Sequence, residues 1–363
     1  MKIALCQIDP TVGDFAGNTR LIIDSLSQAE AAGCRLAVFP ELCVMGYPPR
    51  DLLLRRDFIT QAQGALTEIA HHTRGIAALV GSAIPIPDSE YLYNSVILLD
   101  GGEERRRFHK SLLPSYDVFE ETRYFQPAPE VGCVELDGVR LGVTVCEDIW
   151  NDKDFFSFYR YPRDVLAELS RENPDLYINL SASPYHYGKQ RGRVEMVAHH
   201  ARKYAAPFLY VNQVGGNDEL IFDGSSMVLD RDGRLVAMGE SFAEDMVIYD
   251  TEAAHTPVSC TEDIGWMYRA LVLGTRDYFR KTGFSRTLLG LSGGIDSSLV
   301  AAIASDALGP DNVLGVSMPS RYSSEHSKDD AAKLAQNLGI EYRQHPIEDV
   351  FAEYLHVFNG DTP

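Results

Sequence analysis

The chain has 363 residues, 45% of them hydrophobic and 23% charged. That usage excludes disorder and collagen for the chain as a whole, and at roughly 150 residues per domain the length predicts two domains or three. Its 33 basic and 52 acidic residues leave a net charge of −19, which repels phosphate backbones and argues against nucleic acid as a partner. A small phosphate ligand stays open, because backbone N–H groups can hold one without Lys or Arg.

The start, Met1 to Asp9, turns acidic too soon for a signal peptide and reads as a first strand. Further short runs rich in Val, Ile and Leu follow at Arg35–Phe39, Gly75–Ile86, Leu92–Leu99, Val139–Val145, Asp175–Leu180, Pro207–Val211, Met227–Leu229 and Met246–Tyr249. Gly, Pro or Asp bounds most of them, as expected of strands. Between them, Asn18–Ala32, Leu53–His72, Val165–Glu172 and Gln190–Ala205 carry apolar residues at helical spacing. Alternating strands and helices predict an α/β fold with helices on the sheet faces. The longest apolar run, Gly75–Pro87, contains two prolines and is shorter than the about 20 residues of a spanning helix, so no membrane partner is expected. The six cysteines (Cys6, Cys34, Cys43, Cys133, Cys146, Cys260) are dispersed without a C-x-x-C pair. This argues against zinc and for free thiols in the cytoplasm.

After residue 250 the sequence turns small and polar, and 251–264 reads as a linker. A helix over Gly265–Lys281 precedes a second α/β pattern: strand Thr287–Leu291, helix Ser297–Leu308, strand Val313–Ser317, helix Ser324–Leu338 and strand Glu341–Pro346. Three strands are few for a covered parallel sheet, so a chain cut short at its C-terminal end is expected.

Three segments place a reactive side chain at the end of a predicted strand, where α/β sheets carry their sites. They are Phe39-Pro40-Glu41-Leu42, His109-Lys110-Ser111-Leu112-Leu113-Pro114 and Val145-Cys146-Glu147-Asp148-Ile149-Trp150. Each residue taken singly suits a bland role: a surface Glu, a solvated Lys, a core Cys. Together they suit thioester chemistry, in which a carboxylate takes the thiol proton and a lysine stabilises the thiolate and the oxyanion. In their chain order of Glu, Lys and Cys, the motifs resemble the nitrilase (carbon–nitrogen hydrolase) superfamily over about residues 1–250. The resemblance implies a four-layer α-β-β-α sandwich, with Glu41 as general base, Lys110 as transition-state stabiliser and Cys146 as nucleophile. It further implies a supporting Glu121, although Glu120 stands beside it. In glutamine-using members a segment like Asn179–Lys189 lies over the substrate. Ser183 and Lys189 are the candidates for its carboxylate, and Tyr47 and Tyr116 for walls and hydrogen-bond donors. Ordinary packing remains an alternative for the tyrosines, and solvation for Lys189.

The strand ending at Gly290-Leu291 runs into Ser292-Gly293-Gly294-Ile295-Asp296-Ser297-Ser298 and then a helix. Glycines allow close approach to a phosphate, and hydroxyls and a helix N-terminus add donors. The pattern is neither a Walker loop nor G-x-G-x-x-G; a plain glycine turn with a helix cap is its structural alternative. It resembles the pyrophosphate loop of the ATP pyrophosphatases. That implies ATP binding by Gly290, Ser292, Gly293, Gly294, Asp296 and Ser297, with Asp296 holding magnesium beside the phosphates and Met318 near the adenine. No tightly bound organic cofactor is expected.

The expected division is 1–250 as a glutaminase, 251–264 as a linker and 265–363 as the N-terminal part of a Rossmann-like, adenine nucleotide α-hydrolase-like synthetase domain. The pairing resembles the glutamine-dependent NAD synthetase family, whose synthetase domain continues past the equivalent of Pro363. It implies glutamine, deamido-NAD and ATP as small-molecule substrates, and a homo-oligomer. A stand-alone amidase with an inert C-terminal part, and a non-enzymatic nucleotide sensor, are the alternatives.

Overall fold

A computed structural model describes residues 1–157 and 160–358. The last residues of the expected synthetase domain, 359–363, lie outside the described residues. The chain divides into two compact units, Met1–Trp266 and Met267–Pro363.

The first unit contains β1 (Lys2–Gln7), α1 (Phe15–Ala31), β2 (Leu36–Val38), α2 (Arg56–His71), β3 (Ala77–Pro85), β4 (Leu92–Asp100) and β5 (Glu103–His109). Then come β6 (Cys133–Leu136), β7 (Val139–Val145), α3 (Val165–Leu169), β8 (Leu176–Ser181), α4 (Lys189–Tyr204) and β9 (Phe208–Asn212). The unit closes with β10 (Val214–Asn217), β11 (Leu220–Asp223), β12 (Met227–Leu229), β13 (Leu235–Met238) and β14 (Asp245–Asp250). One six-stranded sheet has the order β14-β1-β2-β3-β4-β5 and the other β13-β12-β9-β8-β7-β6. The central strands β1-β2-β3 and β7-β8-β9 run parallel, and the outer strands antiparallel.

Side-chain alternation along each strand builds the layers. Ile3, Leu5, Leu36, Val38 and Leu79 of the first sheet pack against Leu141, Val143, Ile178, Leu180 and Val211 of the second. The alternate residues Ala4, Cys6, Ala37 and Val80 face outward onto Ile22 and Leu26 of α1 and Phe58 and Ile69 of α2. On the far side, Tyr177, Phe208 and Tyr210 lie under Leu166 and Leu169 of α3 and Met196, Val197 and Ala201 of α4. The result is the expected α-β-β-α sandwich. Helix α1 starts where the Asp14 carboxylate accepts from Gly17 N at 2.9 Å and thereby satisfies an otherwise unpaired helix donor. Asp137 and Gly138, both at positive φ, form the tight turn that joins β6 to β7 and sets the strand leading to Cys146.

The expected linker is packed rather than free. Val258 N donates to Leu235 O at 2.8 Å, and Glu262 bonds to the segment before α4.

The second unit contains α5 (which starts in the first unit, Gly265–Thr282), β15 (Thr287–Gly290), α6 (Ile295–Leu308), β16 (Val313–Ser317), α7 (Glu325–Leu338), β17 (Glu341–Gln344) and α8 (Glu348–Val357). Its sheet is parallel, in the order β15-β16-β17. Leu291, Val313 and Ile340 pack under Ala301, Ala304, Ala331 and Ala335. Helix α6 begins two residues earlier than expected, so Asp296 lies in its first turn. Among the described residues no helix is long and apolar enough to cross a membrane.

Candidate active site

Glu41, Lys110 and Cys146 follow β2, β5 and β7, and the sheets bring their ends together. All three are buried. Lys110 Nζ donates to Glu41 Oε1 at 2.7 Å and to Glu121 Oε1 at 2.8 Å. Glu41 is held further by Asn94 Nδ2 on Oε1 at 2.7 Å and by Ala182 N on Oε2 at 3.0 Å. Gly81 lets this happen: a Cβ there would stand 2.3 Å from Leu42 N and 2.6 Å from Pro40 O, so a larger residue would displace the segment that carries Glu41.

Glu121, rather than Glu120, is the second carboxylate: it is 5% exposed and also accepts from Tyr47 OH at 3.0 Å. One ammonium therefore serves two buried carboxylates. Burial, with Glu41 acting in the same direction and Lys110 opposing, raises the Glu121 carboxyl to about 7. Burial works against the charge on Lys110, but Glu121 and Glu41 outweigh it and keep the ammonium protonated far above its usual range.

Cys146 opens a short turn, Cys146–Ile149, at φ 42°. A non-glycine residue held in this region stores backbone strain, a frequent feature of reactive sites. Burial and the Glu41 carboxylate push its thiol well above the ordinary value, while Lys110 pulls it down. The resting group is a thiol.

Asp148 ties the Cys146 turn to the lysine segment. Its Oδ1 accepts from Ser111 N and Leu112 N, both at 2.9 Å, and its Oδ2 from Val145 N at 3.0 Å. Asp148→Ala is expected to destabilise the first unit by about 3–5 kcal/mol, because three buried donors lose one acceptor at about 1–3 kcal/mol each, not fully additively. Chemical denaturation of the variant checks this.

A cavity of about 350 Å³ opens on Cys146 and is lined by Tyr116, Glu147, Trp150, Ser183 and Lys189 among others. Tyr116 OH and Tyr161 OH donate to Glu147 Oε1 at 2.7 and 3.0 Å. Ser183 is fixed through its own N–H to Asn212 Oδ1 at 2.9 Å. Lys189 Nζ donates to Pro184 O at 2.7 Å and lies 5.9 Å from the Trp150 ring. Burial, with Arg193 adding to it, lowers this ammonium to about 8. The cavity thus joins a thiol, a cation and a carboxylate, groups that suit an amide that also carries an α-amino acid head.

Tyr47 stands elsewhere. Its hydroxyl is given to Glu121, and its ring lines a separate cavity of about 250 Å³ with Pro48, Leu53 and Phe125. The expected wall at Tyr47 is therefore replaced by support of the second carboxylate. Sequence reasoning did not assign Asn94, Glu147, Asp148 or Tyr161. Glu147 and Asp148 stood inside the cysteine motif, whereas Asn94 left no local signal.

In the second unit, the Ser292–Ser298 loop is bonded to itself. Ser292 N donates to Ser297 Oγ at 3.3 Å, and Ser298 Oγ to Gly294 O at 2.8 Å. Gly293, at φ +81°, abuts Ser327: a Cβ would fall 2.2 Å from its carbonyl oxygen. A cavity of about 240 Å³ is lined by Gly290, Ser292 and Met318, with Lys328 as a cation the sequence reading had not marked. Asp296 is exposed within this loop. Its carboxylate and the neighbouring hydroxyls are the oxygen donors that magnesium prefers. A different cluster, Asp152 with His199 and His200, is a poor match for magnesium because two of its donors are imidazoles, and Lys203 already donates to both Asp152 oxygens at 2.8–2.9 Å.

The carbon–nitrogen hydrolase family model matches residues 2–256, and the NAD synthase model residues 267–362. The glutamine-dependent NAD(+) synthetase of Synechocystis sp. is 44% identical over 97% of this chain and 65% of its own length. That of Thermotoga maritima is 40% identical over 99% and 67%. The solved glutamine-dependent NAD+ synthetase of Acinetobacter baumannii, in complex with adenosine diphosphate, superposes with a TM-score of 0.91 at 36% identity, over all of this chain and 68% of that one. An amidase from Nesterenkonia sp. shares the fold of the first unit, with a TM-score of 0.59 at 24% identity. Residues 2–256 thus belong to the carbon–nitrogen hydrolase family. The chain as a whole belongs to the glutamine-dependent NAD(+) synthetase family, and it spans about two thirds of the length of the curated relatives it matches.

Proposed function

We propose that the first unit, in the expected range 1–250, hydrolyses glutamine, and that the second binds ATP and adenylates the nicotinate carboxylate of deamido-NAD. The ammonia from the first reaction then converts that adenylate to NAD. The observation that carries the reading is the buried Glu41–Lys110–Glu121 group beside Cys146, on the same chain as the Ser292–Ser298 loop.

In the glutaminase, Glu41 takes the thiol proton as Cys146 Sγ attacks the amide carbon. Lys110 donates two hydrogen bonds, to Glu41 and Glu121, which leaves its third N–H to meet the oxyanion. Protonated Glu41 then gives its proton to the leaving nitrogen, and ammonia departs from a thioester. Water attacks the thioester, Glu41 takes the water proton, and glutamate leaves as the thiol re-forms. Lys189 and Ser183 bind the substrate carboxylate; Glu147 receives the α-ammonium; Tyr116 holds Glu147 and closes one wall.

In the second unit, Gly290, Ser292, Gly293, Gly294 and Ser297 cradle the phosphates, and Met318 meets the adenine. Asp296 would hold magnesium, which neutralises the phosphates when bound. The first half-reaction yields pyrophosphate, and the second releases AMP. The family resemblance further supports a cytoplasmic protein that assembles with copies of itself.

Asp296→Asn, made in the protein extended to the length of its relatives, tests the second site. NAD formation driven by free ammonia is expected to fall at least about 100-fold, the scale of an electrostatic contact to transferring phosphate. Cys146 should still form its thioester from glutamine. Synthesis at the parent rate would remove Asp296 from the magnesium site.

A further inference from the structure

The segment over the Cys146 cavity, Ser183–Lys189, is fixed at its inner end by Ser183 N on Asn212 Oδ1 and by Tyr185 N on Ile221 O at 2.7 Å. Its outer end meets a residue from the expected linker. Glu262 Oε1 accepts from Tyr185 OH at 3.1 Å and from Gly188 N at 2.9 Å. Gly188 is the residue before the first turn of α4 and has no side chain to cap it. Glu262 therefore serves as a cap from a distant part of the chain, and brings a negative charge to a helix N-terminus. Lys189, the next residue, stretches back to Pro184 O within the same segment. The ring of Tyr185 packs edge-on to Phe242, and Phe242 edge-on to Trp266, with centroids 5.3 and 5.4 Å apart. Two points of the segment are thus held from the stretch of chain that leads into α5.

We infer that Glu262 is a positioning residue for the glutamine carboxylate: by accepting from Tyr185 OH and Gly188 N it sets where Lys189 presents its ammonium to the cavity. The inference rests on the glutamine reading of that cavity. Glu262 touches neither Cys146 nor Lys110 in the contacts described, so its role is in substrate placement and not in proton transfer. The relevant group is one accepting oxygen, which an amide supplies as well as a carboxylate does.

The test compares the parent chain with Glu262→Ala and Glu262→Gln. Three quantities are read: KM and kcat for glutamine, the rate at which iodoacetamide alkylates Cys146, and amide hydrogen exchange over residues 185–189. In Glu262→Ala, KM is expected to rise about tenfold, the effect of losing roughly 1.4 kcal/mol of binding. kcat and alkylation should stay within about twofold, and exchange at Gly188 should quicken. Glu262→Gln should restore KM and exchange. The inference is overturned if Glu262→Ala leaves KM and exchange unchanged. It is also overturned if KM, kcat and alkylation all deteriorate together, or if Glu262→Gln is as impaired as Glu262→Ala. Should the parent chain release no ammonia from glutamine, the glutamine reading fails, and hydrogen exchange alone decides whether Glu262 holds the segment.

Discussion

Replacing Lys110 with methionine is expected to cost the first unit about 3–5 kcal/mol and the hydrolysis of glutamine at least about 1,000-fold. The stability loss follows from what remains. Glu41 and Glu121 are both buried and share this one ammonium; removing it leaves two buried carboxylates without their cation, and breaking a buried pair in this way has that cost. The loss should depend on pH. Burial already raises Glu121 to about 7 in the folded chain, from an ordinary value of 4.5. A carboxyl raised on folding favours the folded state below its unfolded value, and that contribution disappears as pH climbs through the folded value. Without Lys110 the folded value climbs higher, so the folded variant holds its proton more tightly. Denaturation should therefore show a smaller deficit at pH 5 than at pH 8; an equal deficit would mean that the carboxylates find another cation. The activity loss has a separate origin, the missing donor to the oxyanion, and should persist at every pH.

Cys146→Ala is expected to abolish ammonia release from glutamine, by at least about 10⁴-fold, because the thioester route needs the sulfur and nothing in the cavity replaces it. In the protein extended to the length of its relatives, NAD formation from free ammonia should stay near the parent rate, since Cys146 and the Ser292–Ser298 loop belong to separate units. Paired assays with glutamine and with ammonium as nitrogen source check this. Loss of both activities in a folded variant would contradict the division of labour.

The strands that build the central layers were legible because they alternate apolar side chains between two buried faces. Ile3 and Leu5 point one way, Ala4 and Cys6 the other. Strand β5, Glu-Glu-Arg-Arg-Arg-Phe-His, was legible only at its end, before Lys110, because it lies at a sheet edge, where exposed charges are tolerated and discourage further pairing. The short hairpin of β10 and β11, with Gly215 and Gly216 in its first strand, lacks the apolar run that marks a strand. Helix α8 was also missed.

Glu41, Lys110 and Cys146 were legible because each stands in a motif at a strand end. Their supports were not, because they are bonds between distant segments. Asn94 reaches Glu41 across the sheet, Asp148 reaches Ser111 and Leu112, and Glu262 reaches Tyr185 from 77 residues away. Tyr47 shows the same limit in reverse. Its type suited a substrate wall, but its place beside Glu121 gave its hydroxyl to the second carboxylate.

Ammonia release from glutamine, asparagine and simple amides, compared between this chain and Cys146→Ala, tests the central claim most directly. The account predicts release from glutamine alone, and none from the variant. Comparable release from simple amides, or release that survives the loss of Cys146, would contradict it: the first would make the unit a general amidase, and the second would remove the nucleophile.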